Sequence, residues 1–380
     1  MSITSIELII ALLLAPMILR NQQYKKYVFF IMNMILYFLA CGTYQSFLGS
    51  LLWIVVPYIY CHFFKKKTPL FLCMTILFLY LNRYDWIFQS LHIPYMIPFM
   101  IFGLSYIVFR QIDYVLGYEF YHDDEKHFID YINYILSFYT IICGPIQSYQ
   151  YFYEDFYVKK EDFTQRQILD CFNRIANGFI KISLISYYLH KFADEAFASF
   201  SSQFQLLPFI IFMVCNVWFI YFNFSGYCDV VNGAAKLAGF DLPENFHQPF
   251  LARDISDFWN RQHITLTKWI TNYIFTPIVK KMMERFSIDL SQYIGFFVAF
   301  LIAGLWHGTT MNYLIYGILQ AIGVCLTKLY TTYMTKKLGG KKAFRLYRQQ
   351  KHVKVIEIIV TQIYIYISFI FIGYDIIGLL

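Results

Sequence analysis

His307 stands between two glycines in an otherwise apolar stretch, AGLWHGTTMN, that covers residues 303–312. An imidazole with the ordinary pKa near 6.5 is mostly neutral at physiological pH, so it is suited to take a proton from a reacting hydroxyl. Glycines on either side leave room for a substrate to approach closely. A polar side chain in apolar surroundings needs protein or water partners. His307 is therefore either a catalytic base that faces a water-lined tunnel or a histidine whose hydrogen bond fixes helix packing.

A second polar stretch, DISDFWNRQH, begins at Asp254 and ends at His263. An aspartate in this position is expected to cap a helix, and Pro277 is expected to end that helix just before the proline. Trp259 and His263 then lie on one face and Arg261 on another. This segment is too polar to cross a membrane and too aromatic for an ordinary loop. It is therefore predicted to form a helix that lies in the membrane interface or enters the protein. For His263 an active-site role and a packing role are both open.

The element that carries His307 must be interrupted. Residues 292–330 are apolar throughout, and as one continuous helix they would measure about 58 Å, roughly twice the thickness of the hydrocarbon core. Gly304, Gly308 and the polar residues after them are the positions where the pattern permits a break. We therefore predict that His307 lies at the tip of a helical hairpin or of a re-entrant segment.

The composition indicates an all-α polytopic membrane protein. Of the 380 residues, 58% are hydrophobic and 14% charged, and the mean hydropathy of +0.48 is too high for an ordinary soluble domain. Apolar runs that suit membrane helices cover residues 4–19, 27–41, 48–64, 69–82, 94–109, 130–147, 176–190, 206–224, 292–306, 311–330 and 356–373. We predict about ten membrane helices, with interfacial segments at 110–129 and 148–170. No repeat or linker divides the chain, so residues 1–380 are expected to form a single domain.

Positive charge is concentrated in three clusters, at residues 20–26, 65–67 and 336–354. Such clusters face the cytoplasm in membrane proteins, and two apolar runs separate the first two clusters. The N-terminus is therefore expected on the outer side of a multi-pass protein of the cell membrane. The net charge of +7 fits anionic lipid and not nucleic acid as a partner, because no basic face carries aromatic residues outside the apolar runs.

The cysteine pattern favours neither a disulfide framework nor a zinc site. The eight cysteines contain no C-x-x-C pair, and most lie within apolar runs. His263 and His307 have no third candidate ligand at a suitable spacing, so we expect no bound metal and no resident cofactor. No glycine-rich phosphate loop or nucleophile elbow is present either, which leaves both direct transfer and a covalent relay open.

Four motifs occur in the order found in a known family. They are CGPI at 143–146, YFNFSGYCD at 221–229, FWNRQHITLTKW at 258–269 and GLWHG at 304–308. With these motifs the chain resembles bacterial membrane-bound O-acyltransferases (MBOAT), in the branch of alginate O-acetylation and teichoic-acid D-alanylation. The resemblance covers about residues 95–330. Gln262 and Asn272 depart from the tryptophan and the aspartate that are common at these two positions, which leaves the donor and the acceptor open.

The resemblance implies a bundle of membrane helices around a central tunnel. In the family an acyl thioester enters from the cytoplasm, and the acyl group leaves to an acceptor hydroxyl outside. His307 matches the family's catalytic histidine, and His263 matches its second motif histidine. The implied co-substrate is acyl-CoA or an acyl carrier protein, and the implied acceptor is an extracytoplasmic glycan or an acyl-accepting partner protein.

Acyl transfer gives further side chains a candidate role. The reaction needs a base, for which His307 is the candidate, and donors that stabilise the developing oxyanion, among which we place Asn312. His263 is expected to orient the acceptor or to polarise the carbonyl. Trp306 and Trp259 are candidates for the tunnel wall, where they would exclude water that hydrolyses the thioester.

Two charged residues within the motifs, Asp229 and Arg261, leave two interpretations open. They either contact the phosphates of the donor or form a structural ion pair with each other. The leading hypothesis for the whole chain is an O-acyltransferase that moves a small acyl group, most readily acetyl from acetyl-CoA, to a hydroxyl of a cell-surface polysaccharide or partner protein. The alternatives are D-alanyl transfer from a carrier protein toward teichoic acid and a non-catalytic transporter or scaffold of the same fold.

Overall fold

The structure is a computed structural model that describes residues 24–65, 70, 73–74, 101–142, 144–158 and 164–379. Across these residues it is helical and contains no strand; Phe246 and Gln262 form an isolated antiparallel bridge. The apolar run predicted at 4–19, most of 69–82, the first part of 94–109 and Cys143 of the CGPI motif lie outside the described residues.

Fifteen α-helices are described among these residues. They are α1 Lys25–Cys41, α2 Tyr44–Phe63, α3 Leu104–Gly117, α4 Phe128–Ile135, α5 Tyr149–Tyr153, α6 Gln165–Ile180, α7 Tyr187–Ser202, α8 Leu206–Leu237, α9 Ile255–Trp259, α10 Ile264–Ile270, α11 Thr276–Met282, α12 Ile288–His307, α13 Met311–Lys337, α14 Lys341–Gln349 and α15 Lys351–Ser368. Short 3₁₀ or π-helical segments connect or extend several of them.

Five of the described helices are long and apolar enough to cross a membrane. They are α2, α8, α12, α13 and the segment Lys351–Phe371, which contains α15. The described part of the chain is therefore that of a multi-pass, all-α membrane protein, as its composition predicts. The total of about ten membrane helices stays a prediction, because part of the chain lies outside the described residues.

The chain divides into two compact units, Met1–Ile180 with Gly226–Pro243, and Lys181–Ser225 with Glu244–Leu380. In the first unit the buried Arg110 donates hydrogen bonds to the carbonyls of Tyr134 and Ile135, at 3.0 and 2.9 Å. These carbonyls belong to the last turn of α4, where a cationic side chain satisfies groups that the helix itself leaves unpaired.

The end of α4 corrects one prediction from the sequence. The run 130–147 is apolar enough to predict a membrane helix, but the helix ends at Ile135. Beyond it the backbone N–H of Phe138 donates to the side chain of Asn33 at 3.0 Å. Side chains distant in sequence thus supply the partners that a continuing helix would have supplied, and hydropathy alone does not reveal them.

The second unit contains the hairpin of α12 and α13. α12 ends at His307 and α13 begins at Met311, which confirms the predicted break. A methyl group at Gly304 would lie 2.5 Å from the carbonyl oxygen of Tyr313, and one at Gly317 would lie 2.6 Å from that of Phe300. Only glycine permits so close an approach, so these two residues let the two helices pack backbone against backbone.

The stretch after Asp254 is capped as predicted but is not one helix. The carboxylate of Asp254 accepts a hydrogen bond from the N–H of Asp257 at 2.8 Å, and α9 begins at the next residue. The helix stops at Trp259 and resumes only after His263. The prediction that Pro277 ends a helix is wrong: the helical stretch runs through the π-helical turn Thr271–Phe275 into α11, and the proline is the second residue of α11, directly after that turn.

Candidate active site

The second unit brings the two motif histidines together. The ring centroids of His263 and His307 lie 6.2 Å apart, with the ring planes at 80°. His307 is the last residue of α12, and His263 is the residue before the first turn of α10. Both residues thus lie at the end of a helix, and both imidazoles are held where the backbone turns.

The backbone of His263 is left-handed, with φ of 50°. Asn245 compensates for this conformation: its carbonyl accepts from the N–H of Ile264 at 3.0 Å, and its side-chain oxygen accepts from the N–H of Thr265 at 3.1 Å. The hydroxyl of Thr265 donates to the same oxygen at 2.9 Å. A distant asparagine therefore caps α10 in place of a local residue. No motif or spacing marks Asn245, and sequence reasoning missed it.

Aromatic rings fix the plane of the His263 imidazole. It stacks on Phe224, with centroids 4.4 Å apart and planes at 20°, and Phe246 lies 5.7 Å away on a tilted plane. The ring retains some accessible surface, but the surrounding protein removes the water that would stabilise an imidazolium. Burial therefore lowers the pKa of His263 to about 3, and the neighbouring His307 acts in the same direction. His263 is a neutral imidazole at physiological pH.

A cavity of about 380 Å³ lies beside His307. Its apolar wall comes from α9, α10, α12 and α13 and includes Trp259, Leu266, Phe296 and Phe300, while Ser256, Asn260 and Gln292 add polar groups. Among the described residues that line this cavity, none is acidic or basic apart from His307. The volume falls in the range of small-molecule sites, and an apolar wall with few polar groups is typical of them.

The wall residue Trp259 is held by a buried chain of hydrogen bonds. Its indole N–H donates to the side-chain oxygen of Gln320 at 3.2 Å, and the amide nitrogen of Gln320 donates to the hydroxyl of Ser368 at 2.8 Å. Gln320 and Ser368 are 0% and 1% exposed. Because the three residues lie on α9, α13 and α15, the chain links three helices around the cavity.

Two other predicted site residues, Trp306 and Asn312, do not line the cavity. Trp306 lies beside His307, with ring centroids 4.6 Å apart, but it is not among the side chains that line the cavity. The side-chain nitrogen of Asn312 donates to Asp375 at 2.7 Å, and its oxygen accepts from the N–H of Ile377 at 3.2 Å. Asn312 thereby ties the start of α13 to the C-terminal segment.

Asp229 and Arg261 take different partners. Asp229, in the first unit, pairs with Arg174 at 3.0 Å, and Arg261, in the second unit, pairs with Asp257 at 2.7 Å. Each residue thus has a charged partner within its own unit, and the suggested ion pair between Asp229 and Arg261 stays a prediction. Arg261 and Asp257 are four residues apart across the end of α9, a spacing at which opposite charges meet on a helix surface.

Comparison with known proteins identifies the family of this chain. The sequence pattern of the membrane-bound O-acyltransferase family, MBOAT, matches residues 99–372, which extends past the motif-bearing core predicted at 95–330. A teichoic acid D-alanyltransferase of Bacillus subtilis is 27% identical over 72% of this chain and 68% of its own length. A probable alginate O-acetylase AlgI of Pseudomonas putida is 28% identical over 57% of this chain and 43% of its own.

A peptidoglycan O-acetyltransferase of Helicobacter pylori is 31% identical over 54% of this chain and 38% of its own length. The aligned part of the chain thus covers less than half the length of each of the two O-acetylating relatives. The family match covers most of the chain, and it includes both histidines of the site. On this evidence the chain belongs to the membrane-bound O-acyltransferase family.

Proposed function

We propose that this protein is an O-acyltransferase that transfers a small acyl group, acetyl in the first place, from a cytoplasmic thioester to a hydroxyl outside the cell membrane. The acceptor is a hydroxyl of a cell-surface polysaccharide or of an acyl-accepting partner protein. The observation that carries the proposal is the position of His307, at the end of α12, against an apolar cavity of about 380 Å³.

In this proposal His307 is the general base. Its neutral imidazole takes the proton of the acceptor hydroxyl while the hydroxyl oxygen attacks the thioester carbonyl. The carbon–sulfur bond then breaks, and the imidazolium returns the proton to the leaving thiolate. General-base catalysis of this kind contributes about 10²- to 10⁴-fold in rate. The acyl donor is a co-substrate, so the reaction requires no resident cofactor.

His263 supports this reaction as a neutral group. Since its pKa is lowered to about 3, it offers one N–H donor at physiological pH and adds no positive charge beside His307. A positive neighbour would disfavour the imidazolium that forms on His307. We therefore assign His263 the role of hydrogen-bond donor to the acceptor or to the thioester carbonyl. The apolar wall around Trp259 excludes water that would otherwise hydrolyse the donor.

The lining of the cavity favours acetyl over D-alanyl. A D-alanyl group carries an ammonium, which needs an acidic or strongly polar partner when it leaves water. The described cavity lining contains no carboxylate. An uncharged acyl group therefore fits the cavity better.

A second candidate, D-alanyl transfer from a carrier protein, is supported by a different observation. The D-alanyltransferase relative aligns over 68% of its length, whereas the O-acetylating relatives align over 43% and 38%. The extent of the alignments thus favours D-alanyl transfer, whereas the lining of the cavity favours acetyl transfer. A direct experiment separates the two.

The experiment supplies membranes with either acetyl-CoA labelled in the acetyl group or carrier protein charged with labelled D-alanine. Label is counted in base-labile esters of the envelope for the wild type, His307→Ala and a control, His352→Ala, which changes an exposed histidine on α15. We expect label from acetyl-CoA in the wild type and the control, and at least a hundredfold less in His307→Ala. Equal label in His307→Ala overturns the assignment of the base. Label from D-alanine alone favours the second candidate, and none from either donor favours a non-catalytic transporter or scaffold.

A further inference from the structure

A basic stretch of the chain connects two membrane helices. Residues 336–354 contain six lysines and two arginines and no aspartate or glutamate. α13 ends at Lys337 and α15 begins at Lys351, and both helices belong to segments that are long and apolar enough to cross a membrane. The stretch between them therefore lies at one face of the membrane, where the two helices reach the lipid headgroups.

α14, the helix within this stretch, is too short to cross the membrane. Its nine residues measure about 14 Å, roughly half the thickness of the hydrocarbon core. It does not continue α13 either, because the chain turns at Gly339, which has φ of 81°, and the N–H of Gly340 donates to the carbonyl of Thr335 at 2.8 Å. α14 thus lies at the membrane boundary as a separate element.

Two contacts fix α14 against its neighbours. Phe344 is 7% exposed and packs edge-on against Tyr330 of α13, with ring centroids 6.1 Å apart. Arg348 pairs with Glu357 of α15 at 3.0 Å. The helix is therefore anchored on both membrane helices, and its outward side chains keep a defined position at the boundary.

The exposed apolar face of α13 ends in a lysine. Leu326, Tyr330 and Tyr333 are all exposed, and their spacing of four and three residues places them on one face of the helix. Lys337 follows Tyr333 by four residues on the same face, and its ammonium lies 5.8 Å from the centroid of the Tyr333 ring. A tyrosine and a lysine at the end of an apolar face are typical of the depth at which headgroups begin.

α15 and α14 show the same arrangement. On α15, Lys351 precedes the exposed Val355 and Ile359 at intervals of four residues. On α14, the exposed Lys342 precedes Leu346 by four residues, and Leu346 is 57% exposed. Three lysines on three helices thus each adjoin an exposed apolar side chain. None of the three lines the cavity of about 380 Å³ in the candidate active site.

The charges of these lysines are not neutralised by the protein. Across the described residues, none of the six lysines between 336 and 354 pairs with a carboxylate. A small soluble anion would be matched by the charges alone. Lysines that adjoin exposed apolar side chains fit instead a ligand that has both an anionic head and acyl chains.

We infer that α14 and the helix ends beside it bind anionic phospholipids, whose phosphates are held by Lys337, Lys342 and Lys351. The exposed apolar side chains contact the acyl chains, and the long lysine side chains reach the headgroups. Several positive charges without a counter-ion favour an anionic over a zwitterionic headgroup. The inference concerns the membrane and does not depend on the proposed function.

The test counts lipids bound to the full-length protein. Protein in a neutral detergent is titrated with phosphatidylglycerol or with phosphatidylcholine of the same acyl chains, and bound lipid is measured by native mass spectrometry. We expect the wild type to prefer phosphatidylglycerol. Raising the salt from about 0.05 M to about 0.5 M should weaken this binding but not that of phosphatidylcholine, because salt screens exposed charges.

The test variant is Lys337→Gln/Lys342→Gln/Lys351→Gln. Each lysine near a membrane surface contributes about fivefold to the affinity for anionic lipid, so we expect about ten- to a hundredfold weaker binding of phosphatidylglycerol. The same three positions changed to arginine keep the charges and should bind within about twofold of the wild type. If the triple glutamine variant does not fold, Lys342→Gln alone is measured, with about fivefold weaker binding expected.

The matched control is Arg166→Gln/Lys191→Gln/Lys280→Gln, which removes as many exposed positive charges from α6, α7 and α11. We expect it to bind phosphatidylglycerol within about threefold of the wild type. Equal weakening in this control, or unchanged binding in the test variant, overturns the inference. A wild type without preference for phosphatidylglycerol overturns it as well. Displacement of phosphatidylglycerol by coenzyme A assigns the lysines to a soluble anion and also overturns it.

Discussion

His263 and His307 meet edge to plane, with ring centroids 6.2 Å apart, although they belong to different helices. Each reaches this position at a turn of the backbone, one before α10 and the other at the end of α12. Two imidazoles at this distance influence each other's charge, and one of them is held neutral by its surroundings. The pair is therefore expected to act as one unit in any reaction that uses it.

This coupling predicts a non-additive double mutant. Asparagine is the suitable replacement at position 263, because it tolerates the left-handed conformation that His263 adopts. We expect His307→Asn to lower transfer at least about a hundredfold and His263→Asn about tenfold or more. Residues that act as a unit lose little more when both are removed, so the double variant should resemble His307→Asn alone.

The measurement is labelled transfer in membranes with protein levels matched across the four forms. Multiplied losses in the double variant would mean that the two histidines contribute independently, and the coupling would be rejected.

Gln320 is predicted to hold the cavity wall through Trp259. Gln320→Leu leaves the buried indole N–H of Trp259 and the hydroxyl of Ser368 without this partner, which costs about 1–3 kcal/mol of unfolding free energy. Adding Trp259→Phe removes the unsatisfied donor, so the double variant should recover part of that loss. Thermal unfolding in detergent measures both effects. If the losses of the two single variants simply add in the double variant, the hydrogen bond between Trp259 and Gln320 does not contribute to stability.

Local signals in the sequence were enough to predict parts of the site. Two signals predict the break between α12 and α13. The apolar run 292–330 is longer than the bilayer is thick, and the glycines around His307 mark where a helix can end. Asp254 likewise predicts the start of α9, because its side chain caps the helix. The apolar composition predicted the membrane helices, since the bilayer sets their length and polarity.

Contacts between distant residues set the features that were not predicted. The left-handed turn at His263 is supported by hydrogen bonds that Asn245 accepts, and no periodicity signals bonds of that kind. The same holds for Gln320. In the sequence it is one polar residue in an apolar helix, and only the structure shows that Trp259 donates a hydrogen bond to it. Patterns fix where a helix can begin or break, but partners distant in sequence decide where a side chain points.

The lowered pKa of His263 predicts a stability difference that depends on pH. In the folded state His263 stays neutral down to about pH 3, whereas the unfolded chain protonates it below its ordinary value of 6.5. The unfolded state then binds more protons, so the free energy of unfolding falls as the pH drops from 6.5 toward 3 and is unaffected above 6.5. At about pH 5 the expected loss from this residue is up to about 2 kcal/mol.

His263→Asn should lack this contribution. Thermal unfolding in detergent at about pH 7.5 and about pH 5 compares it with the wild type and with His352→Ala, whose histidine is exposed. We expect the wild type and His352→Ala to lose more stability on acidification than His263→Asn does. Equal losses in all three proteins would contradict a neutral, buried imidazole at position 263.

Close packing of α12 on α13 predicts that a single methyl group at Gly317 disturbs both stability and activity. The added carbon of Gly317→Ala would lie 2.6 Å from the backbone oxygen of Phe300, so the helices must separate. Overpacking of this kind costs about 1–3 kcal/mol. Phe300 and His307 both line the cavity, so the shift should also lower labelled transfer. Thr332→Ala, an exposed site on the same helix, is the control and should leave both unchanged. A Gly317→Ala protein that melts with the wild type and keeps its activity would show that the hairpin accommodates the methyl group, and that its spacing does not set the geometry around His307.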